Sequence, residues 1–355
     1  MKGTLASNMA DVVVIGSGPA GCRTAEIVAK QGYEVIVIEE HPEAGKPTQC
    51  TGFVSEKIGK IPDDIIVNKI ARARFCSGKS SFEVKAKKPM ILMDRLGFDK
   101  FVFGEALAAG VQFRFSTRYQ QFEGDNVLTN ITTHKTRILV GADGPNSTVA
   151  KSKNLKIPEN KLLLMQVNVK STFDPSVVEL WFGSDIAPGS FAWVVPENDE
   201  YARVGLMTDK NPIPFLEKFL KERIGETEVF NRIGDSIRFG IIEKSVADRV
   251  LLVGDAATQV KPFSAGGLVY GQLGARIAGE ACVKSLEAND FSETFLYENY
   301  DKVWKSQLSR PIKNGMRLKS VISKFQDNSL VFSMLNKFGL SRFASLVDVD
   351  LIGKD

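Results

Sequence analysis

Residues 11–39 read DVVVIGSGPAGCRTAEIVAKQGYEVIVIE, and this stretch decides the fold class. Val12 to Ile15 is a β-branched run that ends in Gly16-Ser17-Gly18-Pro19-Ala20-Gly21. A helical stretch follows to about Lys30, Gly32 breaks it, and a second apolar run, Val35 to Ile38, closes on the acids Glu39 and Glu40. Strand, glycine turn, helix, strand and terminal acid, in that order, form a dinucleotide site in a doubly wound sheet. Gly16 permits the tight turn, Gly18 lets the backbone approach a pyrophosphate, and Gly21 lets helix pack on strand. The phosphates then sit on the N–H groups of the helix start. Glu39 stands 18 residues after Gly21, where its carboxylate accepts hydrogen bonds from a ribose. The competing reading is a glycine-rich turn without ligand, which leaves the placement of the acid to chance.

Composition narrows the classes. A chain of 355 residues suggests two or three domains. Hydrophobic content of 43% and charged content of 25% are ordinary for a globular protein with a large core. A net charge of +4 makes no case for nucleic acid. Cys22, Cys50, Cys76 and Cys282 lie far apart with no CxxC pair, which argues against zinc and against a disulfide framework and fits a reducing cytoplasm. The only histidines are His41 and His134, too few for a His-rich metal site or a Ser-His-Asp triad, so no metal is expected. No apolar run is long enough to span a bilayer, and the first ten residues lack the apolar core of a secretory signal.

Along the chain, residues 70–92 alternate polar and apolar around a Gly-Lys turn and predict a β-hairpin. Residues 94–110 carry a helical pattern ending at Gly110. Short strands are expected at Val111 to Phe115, Tyr119 to Phe122, Asn126 to Thr133 and Ile138 to Gly141. Residues 162–208 are β-rich, a helix is expected over Pro214 to Arg223, and a further strand over 237–243. Val250 to Val253 is again a buried-strand run, followed by a loop and a helix near Gly267 to Glu287. The tail from 292 to 346 reads as helical, with an apolar stripe that includes Leu330, Val331, Phe332, Met334, Leu335 and Phe338. Packing on the body, capping of a channel and contact with a bilayer are all open to that stripe. The expected division is a discontinuous nucleotide domain (1–69, 93–150 and 244–290), a β-rich substrate domain (70–92 and 151–243) and a C-terminal helical segment (291–355).

Three glycine-acid motifs line up in this reading: GSGPAG at 16–21, GADGPNS at 141–147 with Asp143, and LLVGDAA at 251–257 with Gly254 and Asp255. Each follows an apolar strand, so all three turns are placed to meet one long ligand beyond the carboxyl ends of the strands. Their order resembles the FAD-binding domain of the para-hydroxybenzoate hydroxylase superfamily, from Asp11 to about Glu287. The resemblance implies an α/β fold: a Rossmann-like FAD-binding domain, an inserted antiparallel β-sheet and C-terminal helices. It also implies non-covalent FAD held by Gly16, Gly18, Ala20, Gly21, Glu39, Glu40, Cys50, Arg95, Asp143, Gly254 and Asp255. In the segment KPFSAGG, Pro262, Gly266 and Gly267 match a loop whose amides approach the flavin pyrimidine ring. Taken singly, Asp255 also reads as a helix cap and Arg95 as a surface ion pair.

Two further motifs narrow the resemblance. Pro188-Gly189-Ser190-Phe191-Ala192-Trp193-Val194-Val195-Pro196 resembles the PxxYxWxFP signature of geranylgeranyl reductases, with Phe191 in place of Tyr and Val195 in place of Phe. Gln49-Cys50-Thr51-Gly52-Phe53-Val54-Ser55 is similar to the cysteine-containing loop of archaeal members. That family reduces isolated C=C bonds of isoprenoid chains on archaeal lipids or chlorophyll precursors. The resemblance implies a polyprenyl lipid substrate and a site containing Cys50, Phe191 and Trp193. Cys50 stands as proton donor, redox-sensitive group or buried small residue, and Phe191 with Trp193 as channel lining or core pair. An aromatic monooxygenase of the same fold and an electron-transfer flavoprotein are the alternatives. The electron donor is left open between NAD(P)H, ferredoxin and another reduced carrier protein. The expected location is cytoplasmic, with room for peripheral contact with the inner face of the membrane.

Overall fold

The computed structural model describes residues 9–48 and 50–325. The opening apolar run forms the strand Met9–Ile15, paired in parallel with Val35–Ile38 on one side and Thr133–Gly141 on the other. Val250–Leu252 adds beyond Thr133–Gly141 and Gln112–Arg114 beyond Val35–Ile38, both parallel. A parallel sheet is covered on both faces, so its strands are apolar without alternation. Val12 to Val14, Val35 to Val37 and Ile138 to Val140 are accordingly buried in succession. The helices Pro19–Ala29 and Leu268–Ala288 cross closely: a Cβ at Gly279 would stand 2.7 Å from Ile27 Cγ2.

The second sheet is built from both insertions. The hairpin Ile66–Ser77 and Ser80–Met93 turns at Gly78-Lys79. The strands Phe53–Val54, Lys161–Lys170, Val177–Phe182, Ala192–Pro196, Tyr201–Thr208 and Val229–Arg238 form the rest. All their pairings are antiparallel except one: Val177–Phe182 meets Ile66–Ser77 in parallel, and this seam joins the two insertions. Alternation then separates two layers. Phe191, Trp193 and Val195 face a cluster shared with Val260 and Phe263, while Ala192 and Val194 face the helix Pro212–Phe219 through Leu216 and Phe219.

Several boundaries differ from the sequence reading, each for a local reason. The expected strand Asn126 to Thr133 is two elements, because Thr129 Oγ1 donates to Thr132 O and closes a turn; the strand Thr133–Gly141 then starts well before Ile138. The strand expected over 237–243 lies earlier, at Val229–Arg238, and ends before Gly240, whose φ is +127°. The helix expected from Pro214 begins at Pro212, because Asn211 caps it by accepting from Ile213 N at 3.2 Å. A short helix, Thr148–Ser152, had no sequence signal beyond its cap Ser147. The helical tail is broken by a π turn, Tyr297–Asp301, before the long helix Lys302–Phe325. The apolar stripe from Leu330 to Phe338 lies outside the described residues.

His134 sits in the Thr133–Gly141 strand at 1% exposure, and neither ring nitrogen has a hydrogen-bond partner among the described residues. Burial, with the charge of Arg114 second, pushes its pKa below the ordinary imidazole value. The fold therefore holds the ring neutral, and the unfolded chain takes up the proton from about pH 6.5 downward. Stability from this site is present above that pH and is lost as pH falls through it. His134→Leu should raise the melting temperature relative to the wild type more at about pH 5 than at about pH 8. Thermal unfolding at both pH values checks this, and equal differences would remove His134 from the acid response.

Candidate active site

The parallel register sets the site. Ile15 pairs with Gly141 and Gly141 with Leu252, so the three glycine turns leave the sheet side by side at one edge. Within this cluster each glycine has its own constraint. Gly16 has φ +102°, and a Cβ there would stand 2.4 Å from Ala142 O. A Cβ at Gly21 would stand 2.1 Å from Gly16 O, so helix and turn touch backbone to backbone. Around Gly18 nothing of the protein lies within 4 Å of a built Cβ. Packing explains Gly16 and Gly21, whereas Gly18 borders open space at the start of the helix Pro19–Ala29, which has no side-chain cap. An anion fits that space, because the first N–H groups of a helix lack internal partners.

Glu39 ends the strand beside this turn. Its Oε2 accepts from Ser17 N (2.8 Å) and Ser17 Oγ (2.9 Å), and Oε1 from His41 N (2.9 Å) and His41 Nδ1 (2.7 Å). Burial opposes its charge, but the His41 and Ser17 bonds outweigh burial and hold the pKa below the ordinary value. The two backbone donors fix the carboxylate; the Ser17 hydroxyl and the His41 ring are donors that a ribose diol can replace. Glu40 does not join it: it is exposed and paired with Arg118 at 3.0 Å. Asp143 is also engaged elsewhere. It accepts from Ser147 Oγ (2.6 Å), Thr148 N (2.7 Å) and Val149 N (3.1 Å), holding its own loop rather than presenting a free oxygen.

Arg95 and Asp255 do converge. Arg95 is mostly buried and forks onto Asp99, with Nε to Oδ1 at 3.1 Å and Nη2 to Oδ2 at 3.0 Å. Its charge also acts on Cys50. The Asp255 carboxylate accepts no hydrogen bond from the described residues, and burial first, then the charge of Asp235, pushes its pKa up to about 6 against the pull of Arg95. Asp235, on the second sheet, was missed by sequence reading because nothing in Gly234-Asp235-Ser236 marks it; the strand register alone brings it here. A Cβ at Gly267 would stand 2.5 Å from Asp255 Oδ1, so that glycine makes room for the acid. Pro262 is buried beneath the long C-terminal helix, and Gly266 closes the loop by accepting from Lys261 N at 3.1 Å. Between them the Ser264 hydroxyl is buried with no partner among the described residues, a polar atom that a bound heterocycle can satisfy.

The two sequence motifs that seemed separate are joined by one amide. Gln166, 5% exposed, accepts from Thr51 Oγ1 at 2.7 Å and from Trp193 Nε1 at 3.2 Å through the same Oε1. Gly205 lies between Gln166 and Trp193 in register, and a Cβ there would stand 2.6 Å from the indole. An isolated glycine inside a strand signals such an approach, and YARVGLMT carries it. Arg203 donates to Thr51 O and to Met93 O (3.0 Å), tying the cysteine loop to the second sheet. Cys50 is half-buried, and its Sγ accepts from Gly52 N at 3.3 Å. Phe191 and Trp193, 5% and 7% exposed, stand 6.4 Å apart between ring centroids. Phe191 lies 5.4 Å from Phe263, which belongs to the loop of Pro262 and Gly266. The second sheet thus presents an aromatic layer directly to that loop.

Known proteins share this fold. The family described as FAD binding domain matches residues 80–272, and a second of the same description matches residues 11–53. The digeranylgeranylglycerophospholipid reductase of Methanocaldococcus jannaschii is 30% identical over 90% of this chain and 88% of its own. Digeranylgeranylglycerophospholipid reductase 3 of Methanosphaera stadtmanae is 30% identical over the same shares. Among solved structures, a geranylgeranyl bacteriochlorophyll reductase-like protein from Thermoplasma acidophilum superposes with a TM-score of 0.85 at 22% identity, covering 91% of this chain and 89% of that one. A flavin-dependent brominase superposes with a TM-score of 0.73 at 18% identity, over 95% and 92% of the two chains. At those identities the superpositions speak for the fold, whereas the sequence matches reach the family. The chain belongs to the FAD-binding family that includes the digeranylgeranylglycerophospholipid reductases.

Proposed function

We propose that this chain is an FAD-dependent reductase that hydrogenates C=C bonds in the geranylgeranyl chains of a membrane phospholipid. The similarity to reductases of that name over nine-tenths of the chain carries the reading. The aromatic layer facing the cofactor loop supports it, since an isoprenoid chain needs an apolar channel there. Peripheral contact with the membrane and a separate reduced carrier as electron donor belong to the same proposal. No helix among the described residues is long and apolar enough to cross a membrane.

Bound FAD, once reduced, supplies the hydride. The chain's residues do the rest. Gly18 and the first turn of Pro19–Ala29 take the pyrophosphate, Glu39 the ribose, and Arg95 with Asp255 the region between phosphate and flavin. Phe191, Trp193 and Phe263 exclude water and hold the alkene. An unactivated alkene has no carbonyl to polarise it, so the second carbon must receive a proton as the first receives hydride. Cys50 Sγ holds that proton in this proposal: the Gly52 amide donates to the sulfur, and the charge of Arg95 acts on it, so that both offset the negative charge left when the proton departs. Gln166 positions Thr51 and Trp193, so that the cysteine loop and the aromatic layer move as one unit.

Flavin content tests the first part. Gly18→Val should leave the melting temperature of the apoprotein unchanged while abolishing the yellow colour, because its side chain occupies space that no protein atom fills. Gly21→Val, against a carbonyl, should fail to fold. A yellow Gly18→Val protein would overturn the phosphate assignment.

Single-turnover oxidation of dithionite-reduced enzyme by a geranylgeranyl lipid tests the second part. Cys50→Ser should retain FAD and slow this step by roughly 10²- to 10⁴-fold, the usual loss for a positioned acid. Gln166→Leu should retain FAD and slow it by about tenfold, equivalent to one lost hydrogen bond of about 1.4 kcal/mol. An unchanged rate in Cys50→Ser removes the thiol from the proton path.

A further inference from the structure

The long C-terminal helix Lys302–Phe325 carries seven lysines and arginines and no acid. Its inner face is tied to the body. Trp304, Leu308 and Ile312 are fully buried, and Gly315 lies against Pro262 so closely that a Cβ would stand 3.0 Å from Pro262 Cδ. One turn on, Lys319 Nζ and Ser323 Oγ donate to Gly189 O, at the start of the segment that contains Phe191 and Trp193. One helix thus clamps both the cofactor loop and the aromatic strand. Phe182, Phe191, Phe263, Lys319 and Ile322 line a narrow cleft at this junction.

The outer face is different. Lys302 and Lys305, at the helix start, pair with Glu298 and Asp301. Arg310, Lys313, Arg317 and Lys324 recur at helical spacing on one exposed face, and none of them has a carboxylate partner among the described residues. Val321, 52% exposed, stands between the last two. A face of solvated cations alone does not help the helix fold, because neighbouring like charges repel.

We propose that this outer face docks the protein on an anionic phospholipid surface, with the lipid phosphates held by Arg310, Lys313 and Arg317 and the isoprenoid chain passing inward beside Ile322 to the aromatic cleft. The charge complementarity is direct, and the helix is continuous from the cationic face to the residues bordering Phe191 and Phe263. The chain's path rests on the proposed substrate; the docking of the surface does not.

The test uses the FAD-loaded full chain and vesicles that contain no isoprenoid substrate. The wild type should sediment with phosphatidylglycerol vesicles and not with phosphatidylcholine vesicles, and about 1 M salt should release it. Each basic residue near an anionic bilayer is worth about a fivefold gain in partition. The triple variant Arg310→Gln/Lys313→Gln/Arg317→Gln should therefore lose about 100-fold, with flavin absorbance and melting temperature unchanged. Its single-turnover rate on detergent-dispersed geranylgeraniol, which has no phosphate for this face to hold, should stay at the wild-type value, so a failed activity reading and a failed docking surface give different results. Equal binding to neutral vesicles, no binding to anionic ones, or undiminished binding by the triple variant overturns the proposal. So does a variant that binds vesicles normally but accepts electrons more slowly from an acidic carrier protein, which assigns the face to that partner.

Discussion

The parallel pairing of three strands at the centre of the first sheet is the constraint on which the site depends. Ile15, Gly141 and Leu252 end at one level, so three turns far apart in the chain open onto one ridge. A slip of one residue would point every side chain of a strand to the opposite face. It would also separate Gly21 from the Gly16 carbonyl and Gly16 from Ala142. Backbone contact at these glycines fixes the helix start within van der Waals distance of the sheet edge. The geometry of this ridge is then a consequence of the core.

Polar ties join the second sheet to that ridge beside the apolar cluster that it shares with Val260 and Phe263. The Arg203 guanidinium and the Gln166 amide reach from the sheet to Thr51, and Arg95 lies among Cys50, Asp99 and the acids Asp235 and Asp255. Buried polar groups are costly unless paired, so these ties specify one arrangement of the two halves. Asp255 carries the strain of this arrangement: burial and a second acid raise its pKa to about 6, and Arg95 only partly compensates. The parallel seam between Val177–Phe182 and Ile66–Ser77 has the same consequence at the backbone level, since it makes one sheet of two insertions. The long C-terminal helix then closes the junction, with Gly315 on Pro262 on one side and Lys319 on Gly189 on the other.

The opening strand-turn-helix-strand unit was legible from the sequence because its signals are local. Period, glycine spacing and a terminal acid act over fewer than forty residues, and backbone sterics dictate their conformation. Glu39, Gly18 and the Val250 strand were legible for the same reason, as was the alternation that puts Phe191 and Trp193 on one face. The sequence motifs did not mark that Glu40 pairs with Arg118 or that Asp143 accepts from its own loop.

What the sequence by itself determined is the set of elements and the chemistry at their ends: three glycine turns after three buried strands, a cysteine loop and an aromatic strand between prolines. Only the tertiary structure decided which of these meet. Gln166, Asp235, Phe263 and the inward face of the last helix acquire their surroundings from partners twenty or more residues away, through strand register and helix docking. No local propensity encodes such a partner, because the free energy that selects it comes from burying apolar surface and pairing polar groups across the whole fold.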